Sequence, residues 1–351
     1  MTSVKDASLP LSVLDLAPVG EGSSAGEALR ASLDLVREVE RLGYHRYWVA
    51  EHHNMPGIAS SAPAVLLAHA ASVTSTIRVG SGGVMLPNHS SLVVAEQFGM
   101  LEALHPGRVD LGIGRAPGTD QLTARALRRA ASLRALAADD FPEQLVELQS
   151  YFRGRFPEGH PFASITAVPG AGNEPALWLL GSSDYSAQAA GLLGLPFSFA
   201  HHFASGNTLP ALAAYRANFQ PSDGLERPYV MLGVAAICAP TDEEAKWLAG
   251  SSALAFVRLR SGRPGRYPTP EEAAEHNFTP FERETVKGWQ QSHIVGSPST
   301  VLDQLDELVD RTGADELMVT TMTHAPAARL RSYQLIAEAT ALTSRSVPRA
   351  S

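Results

Sequence analysis

A (β/α)8 TIM barrel with insertions after its fourth and seventh strands is the fold this sequence predicts. Three observations carry that reading: eight short apolar or β-branched runs, helix-period segments alternating with them, and two irregular stretches that break the rhythm. With 351 residues, 44% hydrophobic and 18% charged, the chain can bury one large core, so 1–351 is read as a single domain.

In chain order, the run Leu11–Leu16 leads to a helix over Ala25–Leu42, stopped by Gly43. Arg46–Glu51 is the second strand, followed by a helix over Ala62–Thr74. Ile77–Leu86 and a helix over Ser91–Leu104 come next, then Arg108–Gly114 with a helix over Thr119–Ala138. Asp139–Glu174, with its aromatic, proline and glycine residues, is the first insertion. Ala176–Gly181 pairs with a helix over Ser183–Leu193 that meets Gly194. Phe197–His201 pairs with Thr208–Phe219, and Val230–Cys238 with Asp242–Arg260. Ser261–His293, with five of its residues Arg263, Pro264, Pro268, Pro270 and Pro280, is the second insertion. It is the candidate for a lid, because loops after barrel strands surround the active site. A helix over Ser299–Arg311, stopped near Gly313, the strand Glu316–Thr321 and a last helix near Ala327–Leu342 complete the eight units.

Composition narrows the function. A net charge of −8 without any basic run argues against nucleic acid as a partner and for a small-molecule ligand. The single cysteine, Cys238, sits in an apolar run and reads as a buried small hydrophobe, which excludes a disulfide framework. The N-terminus lacks a basic-then-apolar leader and no apolar run reaches 18 residues, so the expected location is the cytoplasm, without membrane association. Lysines Lys5, Lys246 and Lys287 fall in the tail, a helix and the insertion, away from strand ends, which argues against Schiff-base chemistry.

The polar residues at the strand ends are the candidates for chemistry. The second strand runs into Glu51-His52-His53-Asn54, and alternation along a strand sends one imidazole inward and the other away. The third strand contains Gly80, Gly82 and Gly83. Glycines there open a flat slot for a planar ring and tolerate a bulge or a cis peptide. The fourth ends in Gly112-Ile113-Gly114-Arg115, putting a guanidinium at the mouth; as a dinucleotide fingerprint the glycine spacing is weak. The fifth ends in Gly181-Ser182-Ser183-Asp184-Tyr185-Ser186, which reads as an ordinary serine cap or as an anion site at a helix start. Beside Arg115, that turn becomes half of a phosphate clamp. Histidines recur at the rim in His201-His202 and His324, but as adjacent pairs and not in the HxH spacing of metal-dependent barrel hydrolases, so no metal site is assigned.

Taken together these residues resemble the bacterial luciferase-like flavin monooxygenases, in the single-chain, alkanal-monooxygenase-like members. The resemblance rests on Trp48-Val49-Ala50-Glu51-His52-His53-Asn54, on Pro56 to Pro63, on Leu14 to Pro18, on His105-Pro106-Gly107-Arg108, on Gly112 to Gly118, on Val295 to Pro298 and on Gly313 to Met318. It implies that Arg115 binds the phosphate of FMN with Gly181, Ser182, Ser183 and Ser186, and that Gly82-Gly83 forms a cis peptide against the flavin ring. It implies Glu51 as a residue positioning that ring and His52 as the catalytic base or hydrogen-bond donor. Substrate contacts are expected among Asp15, His53, His201, His202 and Met322. Reduced FMN would come from a separate flavin reductase and, with O2, oxidise a small organic substrate. Where the luciferases carry a reactive cysteine this chain has Gly114, so light emission and a long-chain aldehyde do not follow. Alternatives on the same barrel are hydride transfer with the deazaflavin F420 and a flavin-binding protein without turnover. A homodimer is implied through the second and third helices, whose apolar residues include Val65, Leu66 and Leu67.

Overall fold

A computed structural model describes Val4, residues 9–129 and residues 140–342. The strands are β1 (Leu11–Asp15), β2 (Arg46–Val49), β3 (Arg78–Met85), β4 (Val109–Gly114), β5 (Ala176–Gly181), β6 (Phe197–Phe199), β7 (Val230–Cys238), β8 (His293–Gly296) and β9 (Glu316–Thr320). All pair in parallel, and β1 to β7 with β9 close a ring of eight, since β6 pairs with β7, β7 with β9 and β9 with β1. The predicted barrel is therefore the observed one, strand for strand.

The short strand β8 was not expected. Its four residues lie where the second insertion was taken to end, and they pair with Ala235–Cys238, the half of β7 that extends beyond β9. β7 is long enough to serve two neighbours because it is buried along its whole length.

Alternation along each strand divides the core in two. Val13, Tyr47, Val49, Val79, Leu111 and Ile113 face the helices, while Leu14, Trp48, Trp178, Met231 and Met318 fill the barrel interior. Below that filling lies a closed ion cluster. Arg46 reaches Asp110 at 2.9 Å and Glu316 at 3.0 Å, the Trp48 indole N–H donates to Asp110 at 2.9 Å, and Tyr229 donates to Glu316 at 2.9 Å. Burial pushes the Glu316 carboxyl up, against the pull of Arg46.

The flanking helices that matter here are α1 (Ala25–Leu42), α2 (Pro63–Ser72), α3 (Ser91–Leu104), α4 (Gln121–Arg128) and α5 (Phe141–Arg153). After them come α6 (Asp184–Leu192), α7 (His201–Ala204), α8 (Thr208–Asn218), α9 (Asp242–Arg260), α10 (Pro270–Glu275), α11 (Pro280–Gln290), α12 (Pro298–Thr312) and α13 (Pro326–Ala339). The helix expected over Thr119–Ala138 is α4 as far as Arg128; residues 130–138 lie outside the described residues. Both insertions hold helices. In the first, α5 buries Leu145, Leu148 and Phe152 and packs on α3. In the second, α10 and α11 begin with Pro270 and Pro280, each preceded by a threonine whose hydroxyl accepts the N–H of Glu272 or Glu282. Proline at the first helical position lacks only an N–H that would be unpartnered there, so these prolines start helices instead of breaking them. Among the described residues, no helix is long and apolar enough to cross a membrane.

Candidate active site

The chemistry gathers beyond the C-terminal ends of the strands. At the end of β2, Glu51 is buried, and its carboxylate accepts His53 Nε2 at 2.9 Å, His89 Nε2 at 2.8 Å and the Met85 N–H at 3.0 Å. Burial alone would raise its pKa, but these donors outweigh it and hold the carboxyl below its ordinary value. Glu51 thus ties the loop after β2 to the end of β3. His53 serves that carboxylate and does not line the cavity, which removes it as a substrate contact. His89, in the loop before α3, carried no sequence signal.

His52 turns the other way, as alternation requires, and lines the cavity. Its Nδ1 lies 3.4 Å from the Gly118 carbonyl. A carbonyl cannot donate, so the proton sits on Nδ1 and Nε2 presents a lone pair. Burial lowers its pKa, against that carbonyl and Glu51, which favour the charged form.

Asp15 is corrected. Leu14 points into the barrel, so Asp15 points outward, where Arg329 on α13 donates at 2.6 Å, Tyr47 at 2.7 Å and the Ala17 N–H at 2.8 Å. It is a buried structural anion and not a substrate contact.

On β3 the Gly82–Gly83 peptide is cis, and the register with β4 shifts between Gly82 and Val84. A bulge and a cis peptide therefore coexist. A Cβ at Gly82 would lie 2.6 Å from Leu14 and one at Gly83 2.7 Å from the Gly112 carbonyl, so what these glycines permit is close approach of neighbouring chain.

β4 and β5 lie side by side, with Ile113 opposite Leu179. Just beyond them the Arg115 guanidinium stacks 4.1 Å from the ring of Tyr185, in the first turn of α6. Ser183 is the cap of that helix, yet its side chain makes no capping hydrogen bond. Gly181 faces Ser186 so closely that a Cβ would lie 2.4 Å from it. Asp184, a carboxylate in the same turn, is engaged by Asn207 at 3.2 Å. A guanidinium, serine hydroxyls and a helix start thus meet at one edge, the donor set that fits a phosphate.

A cavity of about 210 Å³ with no charged side chain in its lining opens elsewhere at the strand ends; Gly82, Gly83, Arg115 and the serines of the β5–α6 turn are not in its wall. His52, His202, His293, Tyr267 and Met322 contribute to its wall. His202 Nδ1 is 2.8 Å from the Gly233 carbonyl and His293 Nδ1 2.8 Å from that of Trp289, so both rings also carry the proton on Nδ1. Burial pushes each down to about 4. His201 is instead bonded to Thr208 Oγ1 at 2.7 Å and does not line the cavity, whereas Met322 does. His293 and Tyr267 were missed because both lie in the insertion. That segment crosses the mouth: the Tyr267 N–H donates to Val19 at 2.9 Å, its carbonyl accepts from Glu21 at 2.8 Å, and Gly57 packs so closely that a Cβ would lie 2.5 Å from the Gly265 carbonyl. Among the described residues, no group of three His, Cys, Asp or Glu is placed to hold a metal ion.

Comparison with known proteins finds relatives along nearly the whole chain. The luciferase-like monooxygenase family pattern matches residues 9–316. A luciferase-like monooxygenase of Escherichia coli (strain K12) is 48% identical over 94% of this chain and 96% of its own. The crystal structure of apo-MsnO8 is 40% identical, covers 96% of this chain and 99% of its own, and superposes with a TM-score of 0.86. Two further structures share the fold: the oxygenating constituent of 3,6-diketocamphane monooxygenase from Pseudomonas putida in complex with FMN, and an F420-dependent secondary alcohol dehydrogenase in complex with an F420-acetone adduct. They are 18% and 12% identical, cover 95% and 96% of this chain and 98% and 99% of their own, and have TM-scores of 0.70 and 0.67. With its family pattern matched over nearly all of the barrel and relatives of this identity along its length, the chain belongs to the luciferase-like monooxygenases.

Proposed function

We propose that this enzyme is an FMN-dependent monooxygenase that takes reduced flavin from a separate flavin reductase and uses O2 to oxidise a small organic substrate. The observation that carries the reading is the stacking of Arg115 on Tyr185 at the start of α6, and the uncharged chamber offers room for a small organic substrate. Arg115, with Ser182, Ser183, Ser186 and the backbone at Gly181, would hold the phosphate, and the Gly82–Gly83 backbone would lie along the ring. Glu51 acts on the ring indirectly, by fixing the Met85 N–H at the end of the same strand. When bound, reduced FMN supplies the electrons that activate O2 for transfer of one oxygen atom. His52 takes up a proton at its bare Nε2, and the segment crossing the mouth excludes water.

Titration with FMN and with F420 tests the cofactor. The proposal expects FMN to bind the tighter, and oxygen uptake once a reductase keeps it reduced; preferential binding of F420 would transfer the reading to hydride transfer. We place the enzyme and its reductase in the cytoplasm. We also propose a homodimer through α2 and α3. Leu66 and Leu67 are in the core, but Val65, Val93, Met100 and Leu104 are exposed on those helices. Sedimentation at the mass of one chain would refute the dimer.

A further inference from the structure

The chamber has a floor made by β7 and walls on both sides of it. Ala235 of β7 is in register with Thr320 of β9 on one side and with His293 of β8 on the other. Each neighbour is one strand spacing away, about 4.8 Å. Two residues earlier, at Gly233, a Cβ would lie 3.0 Å from the His202 ring, so the imidazole covers the floor at that point. Small residues on β7 thus leave a trough bordered by two imidazoles.

The chemistry of these two rings is one-sided. His202 and His293 spend their Nδ1 protons on the Gly233 and Trp289 carbonyls, and both rings are held neutral by burial, so toward the chamber each offers only an acceptor lone pair. Thr320 also lines the chamber, but its Oγ1 is fully buried and out of reach of a bound molecule. No charged side chain is present to balance an ionic ligand.

We propose that this trough is the subsite for the polar head of the substrate, and that the substrate is an uncharged, largely apolar molecule whose head carries an O–H or N–H. His202 and His293 accept from that head, and these two residues set specificity. The inference rests on the chamber being the substrate site of the proposed monooxygenase.

Three bicyclic probes of similar shape test it by calorimetry: 2-naphthol, which donates; 2-methoxynaphthalene, which cannot; and 2-naphthoate, which is charged. The expected result is binding of 2-naphthol about tenfold tighter than 2-methoxynaphthalene, with 2-naphthoate weakest. His202→Phe and His293→Phe, which each keep a ring in place of the imidazole, should each weaken 2-naphthol about fivefold and leave 2-methoxynaphthalene within about twofold. The proposal is overturned if 2-naphthol fails to bind, if either other probe matches it, or if neither variant alters its affinity. FMN titration of the same samples separates this outcome from the flavin reading: loss of flavin binding with the probe preference intact rejects the cofactor, and the reverse rejects only the subsite.

Discussion

Single residues divide here by the face of the strand they occupy. Asp15 and Glu51 are both carboxylates at strand ends, and both are fully committed to protein donors. Sequence identifies such residues as polar and well placed but does not reveal that Arg329, more than 300 positions away in the chain, has claimed one of them. Asp15→Asn removes the charge opposite a buried guanidinium and should cost about 3–5 kcal/mol in urea unfolding, with FMN affinity unchanged. A stability loss under about 1 kcal/mol would show that the pair is not structural. That Arg115 and the serines of the β5–α6 turn follow neighbouring strands was legible because adjacency of β4 and β5 follows from strand order in a barrel. The stacking on Tyr185 was not, since nothing local sets it.

Among the elements, the second insertion decides most of the cavity. Its prolines suggested a loop, and the Thr-Pro-x-Glu pattern that would have revealed two helices occurs at Thr269 and Thr279. The four-residue β8 is too short to stand out, and with it His293 escaped notice. Tyr267 escaped because its place is set by backbone pairing with Val19 and Glu21, distant in sequence. That pairing makes Gly57 a lever. Gly57→Ala puts a Cβ against the Gly265 carbonyl, so amide hydrogen exchange at Tyr267 should accelerate and more of the consumed O2 should appear as hydrogen peroxide. Unchanged exchange at Tyr267 would mean that the segment is not held by this contact.

At the scale of the whole molecule, the barrel order was readable because eight buried parallel strands leave a strong apolar signal, whereas the charge cluster beneath them depends on Arg46, Asp110 and Glu316 meeting across it. The half-buried histidines give the fold a pH dependence of known sign. His52, His201, His202 and His293 all have lowered pKa values, chiefly through burial, with His202 and His293 near 4 against an ordinary 6.5. Below 6.5 the unfolded chain binds more protons than the folded one, so their contribution is complete above that pH and is lost as pH falls toward 4. The urea midpoint should therefore drop between pH 7.5 and 5, and less so in His293→Phe; equal slopes would place the titration elsewhere. The central claim, that β4 and α6 together build a phosphate cradle for the flavin, is tested most directly by FMN and riboflavin affinities of the parent protein and Arg115→Ala. FMN should weaken about 10- to 100-fold while riboflavin, which lacks the phosphate, stays the same. An unchanged FMN affinity, or an equal loss for riboflavin, would contradict the account.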